Sequence, residues 1–303
     1  MGATASGKAE LALAVARATG ALLVSCDSMK VYRGLDIGTA KPAAAERGAW
    51  LGLDLVEAWE RFDASRFRAL FDQALEQARQ QGRPLLLSGG TMLYLKAATE
   101  GLCEAPPRDP ALREALLREA EAAGGPALHA RLAALDPAAA TRIHPNDLRR
   151  VVRALEVHAV TGRPLTALHA ETGGRLKDLR PDLRRTVFVV RRERADLDRR
   201  IDARVLRMLE QGWVDECRRL RAAARGVSTE AAQAIGYREL LAWLNGGGQG
   251  APPADVVARV QTATRRFARR QLTWLKHVEG VELLDVPPGG RAVDHVTRVV
   301  QAM

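Results

Sequence analysis

The sequence predicts an α/β protein whose parallel sheet core, flanked by helices, is interrupted by an all-helical insertion domain. Three observations carry that prediction. Two apolar runs, Ala21-Leu22-Leu23-Val24 and Pro84-Leu85-Leu86-Leu87, stop at Ser25 and at Gly89-Gly90. Between them, residues 63–81 have helical spacing. From about 110 to 170 the Ala, Leu and Arg pattern is helical throughout, and Thr186-Val187-Phe188-Val189-Val190 then restores a strand signal. Strands alternating with helices build a parallel sheet. The core is therefore expected to be discontinuous, at 1–108 and 177–303, with the insertion at 109–176.

In chain order, the first element is Gly2-Ala3-Thr4-Ala5-Ser6-Gly7-Lys8-Ala9. It matches the phosphate-cradling pattern G-x-x-x-x-G-K-[ST] of nucleotide- and ATP-binding proteins everywhere except its last position. Small residues let the backbone amides turn inward, the following helix points its positive end at the anion, and Lys8 adds a point charge. The core is thus expected to be P-loop NTPase-like. Ala9 has no hydroxyl to offer magnesium, so metal binding falls to water, phosphate oxygens or an acidic side chain. No apolar strand precedes Gly2, although such a loop normally hangs from one; a start placed at an internal methionine is the expected reason.

Asp27 and Ser28 end the first visible strand, at the carboxyl edge where ligands bind in open α/β sheets. An aspartate there can serve a reacting group, a magnesium ion or a helix N-terminus. Asp63 is expected to cap the next helix. A proline-rich bend at 105–110 leads into the insertion, and a Gly and Pro segment at 173–181 leaves it. Long helices are expected at about 195–224, 229–244 and 253–277, the last two separated by Asn245-Gly246-Gly247-Gly248.

The chain has 303 residues, 47% apolar, enough for a full core without staples. Cys26, Cys103 and Cys217 are odd in number and lack C-x-x-C spacing, so neither a disulfide framework nor a zinc site is expected. No apolar run has the length of a membrane span, and the first twenty residues lack a secretory pattern, so a cytoplasmic protein is expected. The net charge of +10 suits a polyanionic partner, provided the charges cluster.

Ser25-Cys26-Asp27-Ser28-Met29-Lys30-Val31-Tyr32-Arg33-Gly34-Leu35-Asp36-Ile37-Gly38-Thr39-Ala40-Lys41-Pro42 closely resembles the D-S-x-x-x-Y-x-G-x-D-I-G-T-A-K-P element of bacterial tRNA dimethylallyltransferases, the IPP transferase family. The resemblance extends through the phosphate loop, Gly89-Gly90-Thr91-Met92-Leu93-Tyr94, Arg142-Ile143-His144-Pro145-Asn146-Asp147, Arg153-Ala154-Leu155-Glu156, Gly236-Tyr237-Arg238 and Arg269-Arg270-Gln271-Leu272-Thr273-Trp274. It implies an enzyme that moves a dimethylallyl group from dimethylallyl diphosphate to the exocyclic amine of the adenosine 3′-adjacent to the tRNA anticodon. Mg2+ would be its cofactor, and the protein would be a monomer without membrane contact. The chain departs from the family at Lys30, where glutamine is usual, and at Ala49-Trp50-Leu51, where P-H-H is common.

By that resemblance Asp27 is the base that takes the amine's proton, a role suited to a carboxylate within hydrogen-bond reach of a weak nucleophile. Thr91 lies near the leaving-group oxygen and the adenine; its other reading is a helix cap. The family's diphosphate-binding arginine falls on Arg200 or Arg204, four residues apart on one helix face, and the choice between them stays open. Asp27, Ser28, Met29, Lys30 and Thr91 also meet the tRNA. So do Arg113, then Arg149, Arg150, Val151, Val152 and Arg153, and finally Gln233, Ala234, Ile235, Gly236, Tyr237 and Arg238.

Charge clustering adds a further surface. Arg259, Arg265, Arg266, Arg269, Arg270 and Lys276 occur without an acidic residue among them. Arg265 with Arg269 and Arg266 with Arg270 stack at helical spacing, so a cationic stripe for RNA phosphate is expected. Phe267, Gln271 and Trp274 form a second row expected to face the core. Three rivals remain at this stage. They are a phosphate-loop kinase of a small metabolite, an RNA-binding relative without activity, and an enzyme that prenylates a free adenine nucleotide.

Overall fold

The computed structural model describes residues 1–102, 106–176, 183 and 185–303. Cys103, the Ala105 start of the proline-rich bend and the Pro181 end of the Gly and Pro segment lie outside them. The chain divides into two compact units, Met1–Ala98 with Arg184–Met303, and Thr99–Leu183. The helical unit thus begins where helix α4 ends, earlier than the 109 start expected from the bend.

The first unit opens with α1 (Lys8–Thr19), β1 (Leu22–Cys26), α2 (Ala44–Arg47), β2 (Trp50–Leu51), α3 (Ala64–Gln80), β3 (Leu85–Gly89) and α4 (Met92–Thr99). Asp63 does cap α3, its Oδ1 accepting from the Ser65 and Arg66 amides at 3.0 Å. The helical unit holds α5 (Pro110–Ala123), α6 (Gly125–Leu135), α7 (Pro137–Arg142), α8 (Leu148–Thr161) and α9 (Leu165–Leu176). The first unit then resumes with β4 (Val187–Arg192), α10 (Arg194–Glu210), α11 (Trp213–Ala222), α12 (Thr229–Ala232), α13 (Tyr237–Asn245), α14 (Ala254–Leu275), β5 (Val281–Val286) and α15 (Val296–Gln301).

Two of the long helices read from the sequence are broken. Gly212 takes a left-handed conformation between α10 and α11, and Gly236 has φ 88° ahead of α13. Both helical patterns continue across the breaks in the sequence, so periodicity alone does not reveal them.

All pairings between named strands are parallel. The order β2-β1-β3 makes one sheet and β4-β5 another. Met1–Gly2 runs beside the second sheet, with a parallel bridge from Gly2 to Val190 and a 3.0 Å bond from the Val190 amide to the Met1 carbonyl. The anion loop therefore starts next to β4. Strand β2 is formed by the segment that departs from the family pattern. Trp50 pairs with Leu23 and packs with Ala12, Leu13, Ala16 and Ala21, so this side chain fills core. Around the second sheet, Leu11 and Val15 of α1 meet Val190, Leu284, Val286 and Val299.

The long loop after β1 is anchored from behind. The buried carboxylate of Glu216 accepts the backbone amides of Asp36 (3.0 Å), Ile37 (2.9 Å) and Gly38 (3.4 Å) and the Tyr237 hydroxyl. Trp213 packs so closely that a Cβ at Gly38 or Gly236 would sit within 2.2 Å of its indole, and only glycine fits either place. Nearby, the buried ammonium of Lys41 bridges Asp36 (2.7 Å) and Asp54 (2.5 Å) and donates to the Tyr32 carbonyl (2.5 Å). Replacing Glu216 by Ala strands the Asp36 and Ile37 amides and the Tyr237 hydroxyl proton, at about 1–3 kcal/mol for each group left without a partner, while the Gly38 amide keeps its 3.1 Å bond to the Tyr237 oxygen. We expect Glu216→Ala to lose at least about 3 kcal/mol of stability by denaturant unfolding. A midpoint within error of wild type would refute this anchor.

Candidate active site

The anion loop is shaped by side chains that bind its carbonyls from outside. Lys8 Nζ donates to Ala3 O (3.0 Å), Arg200 Nε to Ala5 O (3.0 Å) and buried Arg192 Nε to Ser6 O (2.9 Å). Ala5 is held at φ 61°, a left-handed conformation rare outside glycine. Turning the carbonyls outward points the intervening amides inward. The N-terminus of α1 has no side-chain cap at Gly7, so the first-turn amides and the helix dipole face the same concavity.

Asp27 follows β1 at the same sheet edge. Its Oδ1 accepts the Met29 amide (2.9 Å) and the Lys30 amide (3.3 Å), while nothing in the described protein bonds to Oδ2. Asp27, Lys8, Lys30 and Arg204 lie in one another's electrostatic field. Burial, reinforced by Lys30, lowers the Lys8 ammonium to about 7, with Asp27 opposing and Arg204 adding to the fall. Burial likewise pulls Lys30 and Arg204 below their ordinary values against the upward pull of Asp27. Three cations thus flank one carboxylate beside the uncapped first turn of α1, while the Thr4 and Ser6 amides are already bonded to Gln271 Oε1 (2.8 Å) and the Ala3 carbonyl (3.3 Å); the arrangement calls for an anion.

The geometry separates the two candidate arginines. Arg200 is exposed and spends its Nε on the Ala5 carbonyl, so it shapes the loop. Arg204, half-buried and without a hydrogen bond in the described protein, shares the cluster with Asp27.

The loop after β3 joins the same site. The Gly90 and Thr91 amides both bond to Cys26 O (3.2 Å), and Thr91 Oγ1 accepts the Ser28 amide (3.1 Å) and donates to Ser28 Oγ (3.4 Å). The Thr91 hydroxyl is therefore turned toward the Asp27 segment. From α14, the buried Gln271 side chain contacts both Thr4 and Gly90.

The expected RNA surface divides. Arg265 pairs with Asp202, and Arg269 with Asp198 at 3.5 Å, so half of the stripe is neutralised by α10. Arg266 and Arg270 are exposed and have no ion pair among the described residues. Trp274 is 51% exposed and does not face the core as expected; it continues the Arg266 and Arg270 row one turn on. Sequence spacing could not show that α10 supplies the missing acids.

Of the second expected patch, Gln233 and Arg238 are exposed. Ala234, Gly236 and Tyr237 are buried, and Ile235 is half-buried. In the helical unit Arg149 and Arg150 are exposed, but Val151 and Val152 pack in its core with Leu116, Leu128 and Leu155. Arg113 (2.9 Å) and Arg153 (2.8 Å) both bond to the fully buried Glu156, which also accepts the Asp109 amide (2.8 Å).

No group of three or more His, Cys, Asp or Glu with metal-binding placement occurs among the described residues. The cleft offers one carboxylate, Asp27, whose Oδ1 already accepts two amides, and no hydroxyl at position 9. These side chains do not make a magnesium site by themselves.

A protein-family model described as IPP transferase matches residues 30–278. A tRNA dimethylallyltransferase of Anaeromyxobacter dehalogenans (strain 2CP-1 / ATCC BAA-258) is 49% identical over 288 residues, 94% of this chain and 92% of the relative. One from Sorangium cellulosum (strain So ce56) is 46% identical over 279 residues, 91% of this chain and 86% of the relative. Among solved structures, the full-length tRNA isopentenylpyrophosphate transferase of Bacillus halodurans aligns with TM-score 0.69 at 31% identity, covering 99% of this chain and 93% of its own. A eukaryotic dimethylallyltransferase acting on tRNA aligns with TM-score 0.74 at 27% identity, covering 94% and 72%.

The lowered pKa of Lys8 gives a test of the cleft. Above about pH 7 the free protein holds Lys8 largely neutral, and a bound anion favours the ammonium, so binding raises the pKa and takes up a proton. At pH 8, calorimetry of inorganic diphosphate in buffers of different ionisation enthalpy should register greater proton uptake by wild type than by Lys8→Arg, which is charged throughout. Equal uptake by the two proteins would contradict this.

Proposed function

The chain belongs to the IPP transferase family, and from that premise we propose that it transfers a dimethylallyl group from its diphosphate to tRNA, at the adenosine 3′-adjacent to the anticodon. The observation that carries this reading is the shared cleft of the phosphate loop and Asp27, in which three cations flank one carboxylate. A single cleft lets the isoprenoid chain bridge from the diphosphate to the amine.

Bond making and breaking divide between two groups of residues. The bond from the allylic carbon to oxygen breaks, and its electron pair leaves with diphosphate. Amides of the loop from Gly2 to Ala9, the Lys8 ammonium and Arg204 stabilise that charge. Thr91 Oγ1 stands at the edge of the cleft, where its hydroxyl can donate to the departing oxygen. The adenine nitrogen bonds to the carbon, and its proton passes to Asp27, whose Oδ2 is free to accept it. Magnesium belongs in this reading as a partner of the diphosphate oxygens, supplying charge neutralisation when bound, and no step depends on a protein-built metal site.

On the first unit the RNA would meet Arg266 and Arg270 of α14, Gln233 and Arg238; the helical unit by itself offers Arg149 and Arg150 to phosphate. A flipped adenine then reaches Asp27, as expected where single-stranded loop bases are read. The protein would act as a cytoplasmic monomer, and no helix among the described residues is long and apolar enough to cross a membrane.

Labelled dimethylallyl diphosphate, magnesium and an anticodon stem-loop with consecutive adenines test this directly. Wild type should label the RNA. Asp27→Ala should transfer at least about 10²-fold more slowly, while its affinity for tRNA stays within about twofold. Undiminished transfer by Asp27→Ala would remove Asp27 from the mechanism, and ATP turnover without RNA would point to a kinase instead. Reversing Arg266 and Arg270 to Glu should weaken tRNA binding and reduce the slope of log K against log salt by about one or more per lost phosphate contact. An unchanged slope would reject the α14 surface.

A further inference from the structure

We propose that Gln271 is a positioning residue for the transfer reaction, its side-chain amide setting the distance between the anion loop and the loop that bears Thr91. This rests on the cleft being the site of transfer. Gln271 sits on the inner face of α14, 5% exposed, between buried Ala268 and Leu275. Its Oε1 accepts the Thr4 amide at 2.8 Å, and its Nε2 donates to the Gly90 carbonyl at 2.9 Å. Thr4 and Gly90 are 86 residues apart (90 − 4) and belong to different halves of the cleft.

The two backbone groups have opposite polarity. A primary amide satisfies both at once, in one orientation only. Among the described residues no ladder bond links the anion loop to β3, and the bridge from Gly2 runs to Val190 instead. The Gln271 amide supplies the lateral tie that a paired strand would otherwise give. Gly90 makes room for it, because a Cβ there would lie 2.1 Å from Nε2.

Displacement at either end reaches chemistry quickly. Thr91 is the next residue after Gly90, and its hydroxyl is bonded to Ser28 beside Asp27. Thr4 lies in the middle of the anion loop, whose neighbours Ala3 and Ala5 are bonded by Lys8 and Arg200. A cleft whose reacting groups drift by about an ångström can lose up to about 10²-fold in rate. Gln271 touches neither the diphosphate nor the adenine in this account and works through the two loops.

The test compares Gln271→Met, which keeps volume and loses both bonds, with Gln271→Glu. A protonated glutamic acid can accept from Thr4 and donate to Gly90, whereas the carboxylate can only accept. Kinetics are measured with dimethylallyl diphosphate and a saturating anticodon stem-loop, alongside thermal unfolding, tRNA affinity and calorimetry of inorganic diphosphate. For Gln271→Met we expect kcat/KM for the diphosphate substrate to fall roughly 10- to 100-fold, diphosphate to bind more weakly and tRNA affinity to stay within about twofold. Gln271→Glu should be impaired at pH 8 and recover relative to wild type as the pH falls, a profile that a purely structural role would not produce. Should the Met variant fail to fold, the Glu profile decides. Wild-type kcat, KM and diphosphate affinity in a folded variant would overturn the proposal, as would a Glu profile parallel to wild type. If wild type transfers nothing, the functional reading fails, and the diphosphate affinities of the variants still decide whether Gln271 holds the loop.

Discussion

Like charges gathered away from water repel one another, and Lys8, Lys30 and Arg204 are gathered around the single carboxylate of Asp27. Burial first, and then the neighbouring Lys30 and Arg204 charges, lower the Lys8 ammonium to about 7. An incoming dianionic or trianionic group relieves the repulsion, so the affinity for diphosphate is prepared before the ligand arrives. Much of the surrounding structure serves to hold this unfavourable cluster together. Arg192 and Arg200 restrain the loop carbonyls, and Glu216 and Lys41 fix the long segment that follows Asp27 and Lys30. Arg192, Glu216 and Lys41 are buried or half-buried polar groups with several partners each, which costs desolvation but leaves few alternative arrangements.

Much of this could be read from the amino-acid pattern, and the limits have physical causes. The strands β1, β3 and β4 were visible because buried parallel strands read as short apolar runs. Strand β2 was not, since two residues are too few for any period, and β5, Val281–Val286, was missed because its acidic residues interrupt the run. The loop from Gly2 to Lys8 and the aspartate at the end of β1 announced themselves by residue type and spacing, and the structure brings both to one edge. The choice between Arg200 and Arg204 was beyond the sequence because both occupy the same helix face; only the course of the Ala5 carbonyl separates them. Gln271 falls in a family motif and on a row expected to face the core, but nothing local names its partners, and Glu216 carries no local signature. Their partners are brought from far along the chain, and a single sequence does not display such pairs.

The arginines make a similar point about charge. Counting basic residues along α14 marks the correct helix, yet Arg265 and Arg269 meet Asp202 and Asp198 from α10, and only the adjoining row stays available for a polyanion. In the helical unit, Arg113 and Arg153 converge on buried Glu156 and stabilise their own subdomain, while exposed Arg150 pairs with Asp147 at 3.4 Å and Arg149 is exposed beside it. Such ion pairs decide which cations an RNA phosphate can recruit without first breaking a partner.

The claim on which the account turns is spatial: one cleft must take the diphosphate against the anion loop and lead the isoprenoid toward Asp27. A crystal structure with a non-reactive dimethylallyl thiolodiphosphate measures this most directly. The account predicts the diphosphate seated on the amides of residues 2–9 and beside Lys8 and Arg204, with the hydrocarbon tail extending toward Asp27 Oδ2. Density for the diphosphate on the exposed arginines of α14, or a tail directed away from Asp27, would contradict it.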